Sequence, residues 1–144
     1  RLFLPELKKY PSSKILNIGS MSGFFPIPYK SVYAASKAYV HSFSKSLEKE
    51  LEGSGVGVFL VAPNGVQSNP RVTERIRDHK LMGRLVSMTA EKFAVLTLDK
   101  VEKGNKFYVP LFSNKLLFAL SRIMPDAFML DRVKKEFKKE LGSE

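Results

Sequence analysis

Tyr33 and Lys37 stand four residues apart in the stretch VYAASKAY, residues 32 to 39, and Ser20 lies thirteen positions before the tyrosine, closing the apolar run of NIGSMSG. A phenol, an ammonium and a hydroxyl brought together can move a proton to or from an oxygen. On a helix, residues at i and i+4 share one face, with Cβ atoms roughly 5–6 Å apart. A free phenol, with a pKa near 10, is a poor acid or base at neutral pH. An ammonium about 5 Å away, at an effective dielectric of about 20, favours a phenolate by roughly 3 kcal/mol, or about two pKa units. That brings a tyrosine toward the range useful for proton transfer. A serine at the C-terminal end of a strand stands where open α/β sheets place their ligands, and its hydroxyl can hold a carbonyl oxygen meanwhile. A Y-x-x-x-K pair alone also occurs on plain helix surfaces. The strand-end serine, the small residues between the pair, and the turn Pro63-Asn64-Gly65 after a second apolar strand favour chemistry.

The elements that must position this trio can be read from periodicity and punctuation. RLFLPELKK resembles the closing turns of a helix, with Leu2, Leu4 and Leu7 available for burial. After the turn Tyr10-Pro11-Ser12-Ser13 comes KILNIGS, a run of strand length. A loop from Met21 to Ser31 leads into a long helix over 32–52, whose apolar positions Val32, Val40, Phe43, Leu47 and Leu51 keep helical spacing, and Gly53 is a good stop. VGVFLVAP, residues 56 to 63, predicts a strand covered on both faces. Asn69 and Pro70 predict an N-cap and first turn for a helix to about Met82, and Thr89 predicts the cap of another over 90–102, closed by Lys103-Gly104-Asn105. KFYVP is a third strand, followed by helices over about 115–124 and 127–139, separated by Pro125. This alternation is that of an α/β protein with a parallel sheet, here of three strands, as if half of one.

With these elements in place, LNIGSMSG, YAASK and FLVAPNGVQSN resemble the short-chain dehydrogenase/reductase family. The resemblance covers the C-terminal half of such an enzyme. It implies the C-terminal part of a Rossmann-like doubly wound parallel sheet with flanking helices. It also implies an oxidoreductase that interconverts an alcohol and a ketone or aldehyde with NAD or NADP. Ser20 would position the substrate oxygen, Tyr33 would be the acid/base, and Lys37 would assist the tyrosine and bind the nicotinamide ribose. Pro63, Val66 and Ser68 match cofactor-contacting positions, with Asn64 and Gly65 in the same turn. Asn64 replaces the usual glycine and Ser68 the frequent threonine; asparagine tolerates positive φ and serine keeps the hydroxyl, so both substitutions preserve the role. Met21 and Phe24, with Phe25 and Pro26, are candidates for a substrate pocket, and plain loop packing is the equal alternative.

The family's glycine-rich dinucleotide loop has no counterpart in these residues. A domain rarely opens in mid-helix, so residues 1–144 are expected to be the C-terminal portion of one NAD(P)-binding domain, inactive by themselves and homo-oligomeric when full length. The alternative is a non-catalytic remnant or interaction module of the same fold. GSGVG, residues 53 to 57, is no substitute for the missing loop. It follows a helix and enters a strand, the reverse of what a phosphate loop requires, and predicts a helix stop and connection. GSMSG has Met21 at its centre and is not a hydrolase elbow. Asn64-Gly65 suits a hairpin, but VQSNPRV reads poorly as a returning strand.

The bulk composition narrows the classes further. No cysteine is present, and the two histidines, His41 and His79, fall in unrelated contexts, which argues against disulfide and metal chemistry. A net charge of +10 raises the question of nucleic acid, but the cations are spread, apart from KKEFKKE at 134–140, and are not interleaved with aromatics. The expectation is a basic solvated surface. No signal-peptide pattern and no run of 18 apolar residues is present, so the expected setting is cytoplasmic and the expected partner a small-molecule substrate. The apolar stretch over 107–130 is expected to cover the core or the site.

Overall fold

The computed structural model describes residues 2–78, 83 and 85–141. Three parallel strands lie in the order β1 (Lys14–Ile18), β2 (Gly57–Val61), β5 (Phe107–Tyr108). Their register pairs Leu16 with Phe59, Ile18 with Val61, and Val61 with Tyr108. β2 is central, and Val58 to Val61 are all buried, as its continuous apolar sequence predicts. The opening helix α1 (Leu4–Leu7) sets Leu4 and Leu7 against a small core of Leu51, Val56 and Val58, whereas Leu2 is exposed.

Helix α2 (Ser31–Glu50) crosses from β1 to β2; of its expected apolar positions, Leu47 and Leu51 pack into the core, whereas Val32 and Phe43 turn outward. Val32 is 82% exposed and Phe43 45% exposed, with Phe43 stacked on Tyr39 at 5.9 Å between ring centroids. The buried positions are Ala34, His41 and Ser44, small or polar residues that also keep helical spacing. Small residues let the helix come close to the strand. There Asn17 Nδ2 donates to Ser44 Oγ (2.9 Å), and Ser44 Oγ donates to the Val40 carbonyl (2.6 Å). Gly53 (φ 78°) and Gly55 (φ 81°) then turn the chain into β2, so GSGVG is a helix stop and connection.

Beyond β2 the sequence reading needs one addition. β3 (Gly65–Gln67) and β4 (Ser87–Thr89) form a separate parallel pair, with Val66 opposite Met88, to which the sequence reading assigned no strand. Asn64-Gly65 therefore makes no hairpin. Gly65 permits the approach: a Cβ there would lie 2.8 Å from that of Ser87.

Both predicted caps form. The Val72 N–H donates to Asn69 Oδ1 (2.9 Å) at the start of α3 (Pro70–Asp78), and the Lys92 N–H donates to Thr89 Oγ1 (3.3 Å) at the start of α4 (Ala90–Glu102). The expected end of α3 at Met82 lies outside the described residues, as does His79. Two terminal helices, α5 (Phe112–Ser121) and α6 (Asp126–Leu141), flank Pro125, and α5 begins three residues earlier than its periodicity suggests. Phe118 of α5 packs with Phe24 and Phe107 on a core of Met21, Ala62 and Val109, the core-covering role expected of this segment. No described helix is long and apolar enough to cross a membrane.

Candidate active site

Ser20 follows β1 directly, and hydrogen bonds to the end of β2 and to its own loop fix it there. The Gly19 and Met21 N–H groups donate to the Val61 and Pro63 carbonyls, each at 2.8 Å, continuing the parallel ladder past the formal end of the strand. Backbone N–H groups alternate in direction along a strand. The Ser20 N–H thus points away from β2, toward α2, and donates to His41 Nε2 at 3.4 Å. The Ser20 hydroxyl accepts from the Ser22 N–H (3.2 Å) as the cap of a single 3₁₀ turn, Met21–Gly23. A hydroxyl that accepts in this way keeps its own proton available for donation.

Tyr33 lies in the first turn of α2 and is 48% exposed. One turn later Lys37 brings its Nζ to 5.8 Å from the centre of the Tyr33 ring, and the same ammonium donates to the Ile18 carbonyl at 3.3 Å. That bond ties the helix to the strand end from which Ser20 emerges. The i, i+4 spacing brings the phenol and ammonium onto one face, and the crossing of α2 over β1 brings the ammonium to the strand end that precedes Ser20.

Pro63 is buried, Asn64 and Ser68 are exposed, and Gly65 and Val66 are half-buried in β3. Asn64 Nδ2 donates to Asn114 Oδ1 (3.4 Å), and Asn114 Nδ2 donates to the Val86 carbonyl (3.1 Å). Asn114 is 1% exposed, so a buried amide on α5 links the turn after β2 to the segment entering β4. Reading from sequence missed Asn114, which the expected helix start near residue 115 left outside that helix.

Met21 and Phe24 both make packing contacts in the structure. Met21 is 2% exposed in the core cluster, and the Phe24 ring lies 4.5 Å from Phe118 and 4.3 Å from His41.

His41 is the second residue that sequence reasoning passed over as functional. His41 is 5% exposed, and burial pushes its pKa below the ordinary imidazole value, helped by the cations Lys45 and Lys37. Its i, i+4 relation to Lys37 was visible in the sequence, but nothing local says that this position faces inward.

The family model described as short chain dehydrogenase matches residues 1–80, more than half of the chain. The chain belongs to the short chain dehydrogenase family. Among curated relatives, the short chain dehydrogenase chain is 30% identical over 125 residues to the ketoacyl reductase HetN of Nostoc sp., covering 86% of this chain and 42% of that protein. It is 43% identical over 63 residues to the very-long-chain 3-oxoacyl-CoA reductase of Bos taurus, covering 44% of this chain and 20% of the enzyme. It spans less than half the length of these relatives. Among solved structures, a short chain dehydrogenase from Burkholderia cenocepacia in complex with NADP superposes with a TM-score of 0.70 at 19% identity, covering 91% of this chain and 52% of that one. A 7beta-hydroxysteroid dehydrogenase does so at 0.69 and 19%, covering 84% and 47%. These likenesses show the Rossmann-type fold.

Proposed function

We propose that the protein carrying this chain is an NAD(P)-dependent oxidoreductase that interconverts an alcohol and a ketone or aldehyde, with Ser20, Tyr33 and Lys37 handling the proton. The observation that carries this reading is the position of Lys37, within 5.8 Å of the Tyr33 ring and bonded to Ile18 at the strand end that leads to Ser20. In carbonyl reduction, the Ser20 hydroxyl donates a hydrogen bond to the substrate oxygen and holds it in place. Tyr33 delivers the proton to that oxygen; in alcohol oxidation it receives the proton back. Lys37 contributes a fixed positive charge beside the tyrosine.

No side chain in this group can accept or give a hydride, so a carrier is required, and a bound nicotinamide supplies that chemistry. The residues present suit NAD or NADP. Tyr33, Asn64 and Ser68 are exposed around one end of the sheet, and Lys37 is there to meet ribose hydroxyls. Gly65 and Val66 would form the apolar part of the same surface, with the buried Pro63 leading into it. The names of the Nostoc and bovine relatives, both reductases of oxoacyl-type groups, favour a carbonyl compound with an acyl chain as the substrate class.

The test is Tyr33→Phe in the protein carrying this chain, assayed by steady-state kinetics with NAD(H), NADP(H) and carbonyl or alcohol substrates. Turnover is expected to fall by at least about a hundredfold while cofactor affinity stays within a few fold. Retention of more than about a tenth of the activity would remove Tyr33 from the proton-transfer role.

A further inference from the structure

We propose that His41 is a positioning residue for Ser20: its neutral imidazole, seated between Gly19 and Gly23, accepts from the Ser20 N–H and fixes the Ser20 turn to the helix that carries Tyr33 and Lys37. The assignment rests on the catalytic reading of Ser20 given above, but the contact itself does not. Gly19 and Met21 direct their N–H groups to Val61 and Pro63, leaving the Ser20 N–H between them without a strand partner. His41 Nε2 supplies the acceptor at 3.4 Å. A buried N–H left unpaired is costly, so the pairing constrains where the turn can sit.

The two glycines on either side of Ser20 are shaped to the ring. A Cβ on Gly19 would lie 2.6 Å from His41 Nε2, and a Cβ on Gly23 would lie 2.7 Å from its Cε1. Neither glycine has an unusual φ among the described backbone, so the ring, and not a strained turn, accounts for the missing side chains. Phe24 closes the slot with its ring 4.3 Å from the imidazole. Helix α2 thus holds Tyr33, Lys37 and His41 at successive i, i+4 positions: one for the proton, one for the charge, and one to hold the serine.

An acceptor at Nε2 requires the proton to reside on Nδ1, which has no hydrogen-bond partner among the described residues. A second proton would make both nitrogens donors and set a donor against the Ser20 N–H. The charged groups acting on the ring are Lys45 and Lys37, both on its own helix. The turn from Gly19 to Phe24 and the β2 residue Leu60 bring no titratable side chain to it. Acidification therefore has one direct effect here, release of the turn.

The experiment compares wild type, His41→Gln and His41→Leu in the protein carrying this chain, by amide hydrogen exchange across residues 19–23 and by kcat and KM as functions of pH. Glutamine keeps a neutral acceptor, and leucine removes it. The expected results for His41→Leu are exchange in the turn faster by about tenfold and kcat lower by about tenfold, with KM for the cofactor within twofold. His41→Gln is expected to restore both and to lose the acid-side fall in kcat expected of wild type. Unchanged exchange and kcat in a folded His41→Leu protein would overturn the proposal. So would an acid limb that persists in His41→Gln. A wild-type protein with no alcohol or carbonyl turnover would overturn the proposed function instead, and the exchange arm would then decide the contact alone.

Discussion

Lys37 reaches back from α2 to donate to the carbonyl oxygen of Ile18 at 3.3 Å, so the ammonium beside Tyr33 is held by the strand that ends at Ser20. This cation thereby joins the Ser20–His41 and Asn17–Ser44 contacts in tying the helix bearing the phenol to the strand and loop bearing the hydroxyl. Charge and geometry are supplied by the same side chain.

Replacing Lys37 should accordingly harm both. Lys37→Met keeps much of the stem and removes the donor and charge. The expected outcome is nicotinamide cofactor affinity weaker by about tenfold or more, since hydrogen bonds to charged groups are typically worth about 1.5–3 kcal/mol. Titration calorimetry with NAD(H) and NADP(H) measures it. Affinity unchanged in a folded variant would reduce Lys37 to an anchor for Ile18.

The slot around His41 predicts a coupled pair. Gly19→Ala places a methyl 2.6 Å from His41 Nε2 and should destabilise the protein by about 1–3 kcal/mol. In Gly19→Ala/His41→Ala the ring is gone, and the two effects should fall short of additivity by about 1 kcal/mol or more in the relieving direction. Denaturant unfolding of the four proteins in the cycle tests this; simple additivity would mean that Leu60, 3.1 Å from the added methyl, is the real obstacle.

Stability should also depend on pH through the same residue. Burial, then Lys45 and Lys37, hold the His41 pKa below the ordinary value of 6.5 in the folded protein. Between the two values the unfolded chain binds more protons than the folded one, so stability rises with pH in that window. The contribution is fully present above 6.5 and is lost as pH falls toward the lower folded value. Melting temperatures of wild type and His41→Gln across this range should diverge on the acid side, with the variant losing less. Parallel curves would assign the acid sensitivity to other groups.

Asn114 should be more than a helix residue. Asn114→Ala removes both the acceptor for Asn64 and the donor for the Val86 carbonyl, inside a position that is 1% exposed. The expected cost is about 2–3 kcal/mol, from the unpaired groups and the small void. Faster amide exchange over residues 64–68 should accompany it. A loss of stability with no change in that turn would show that the amide serves packing alone.

The sequence by itself determined whatever depends on neighbours along the chain. Turn chemistry at Asn69 and Thr89 set the starts of α3 and α4, because a side-chain oxygen at a helix start meets N–H groups two or three residues on. Helical periodicity put Tyr33 and Lys37 on one face, and the alternation of strands and helices implied the parallel sheet. Only the tertiary structure decided which face of α2 turns inward. Val32 and Phe43 turn outward, while Ala34, His41 and Ser44 turn inward along with the expected Leu47 and Leu51, because close packing on Gly19 and Asn17 needs small or hydrogen-bonding side chains. The same holds for the β3–β4 pair, the Asn64–Asn114 bond and the Ser20–His41 contact, which join residues about twenty to fifty positions apart. Such partners are fixed by the ladder between β1 and β2 and by the helix laid across it, and no local pattern encodes them.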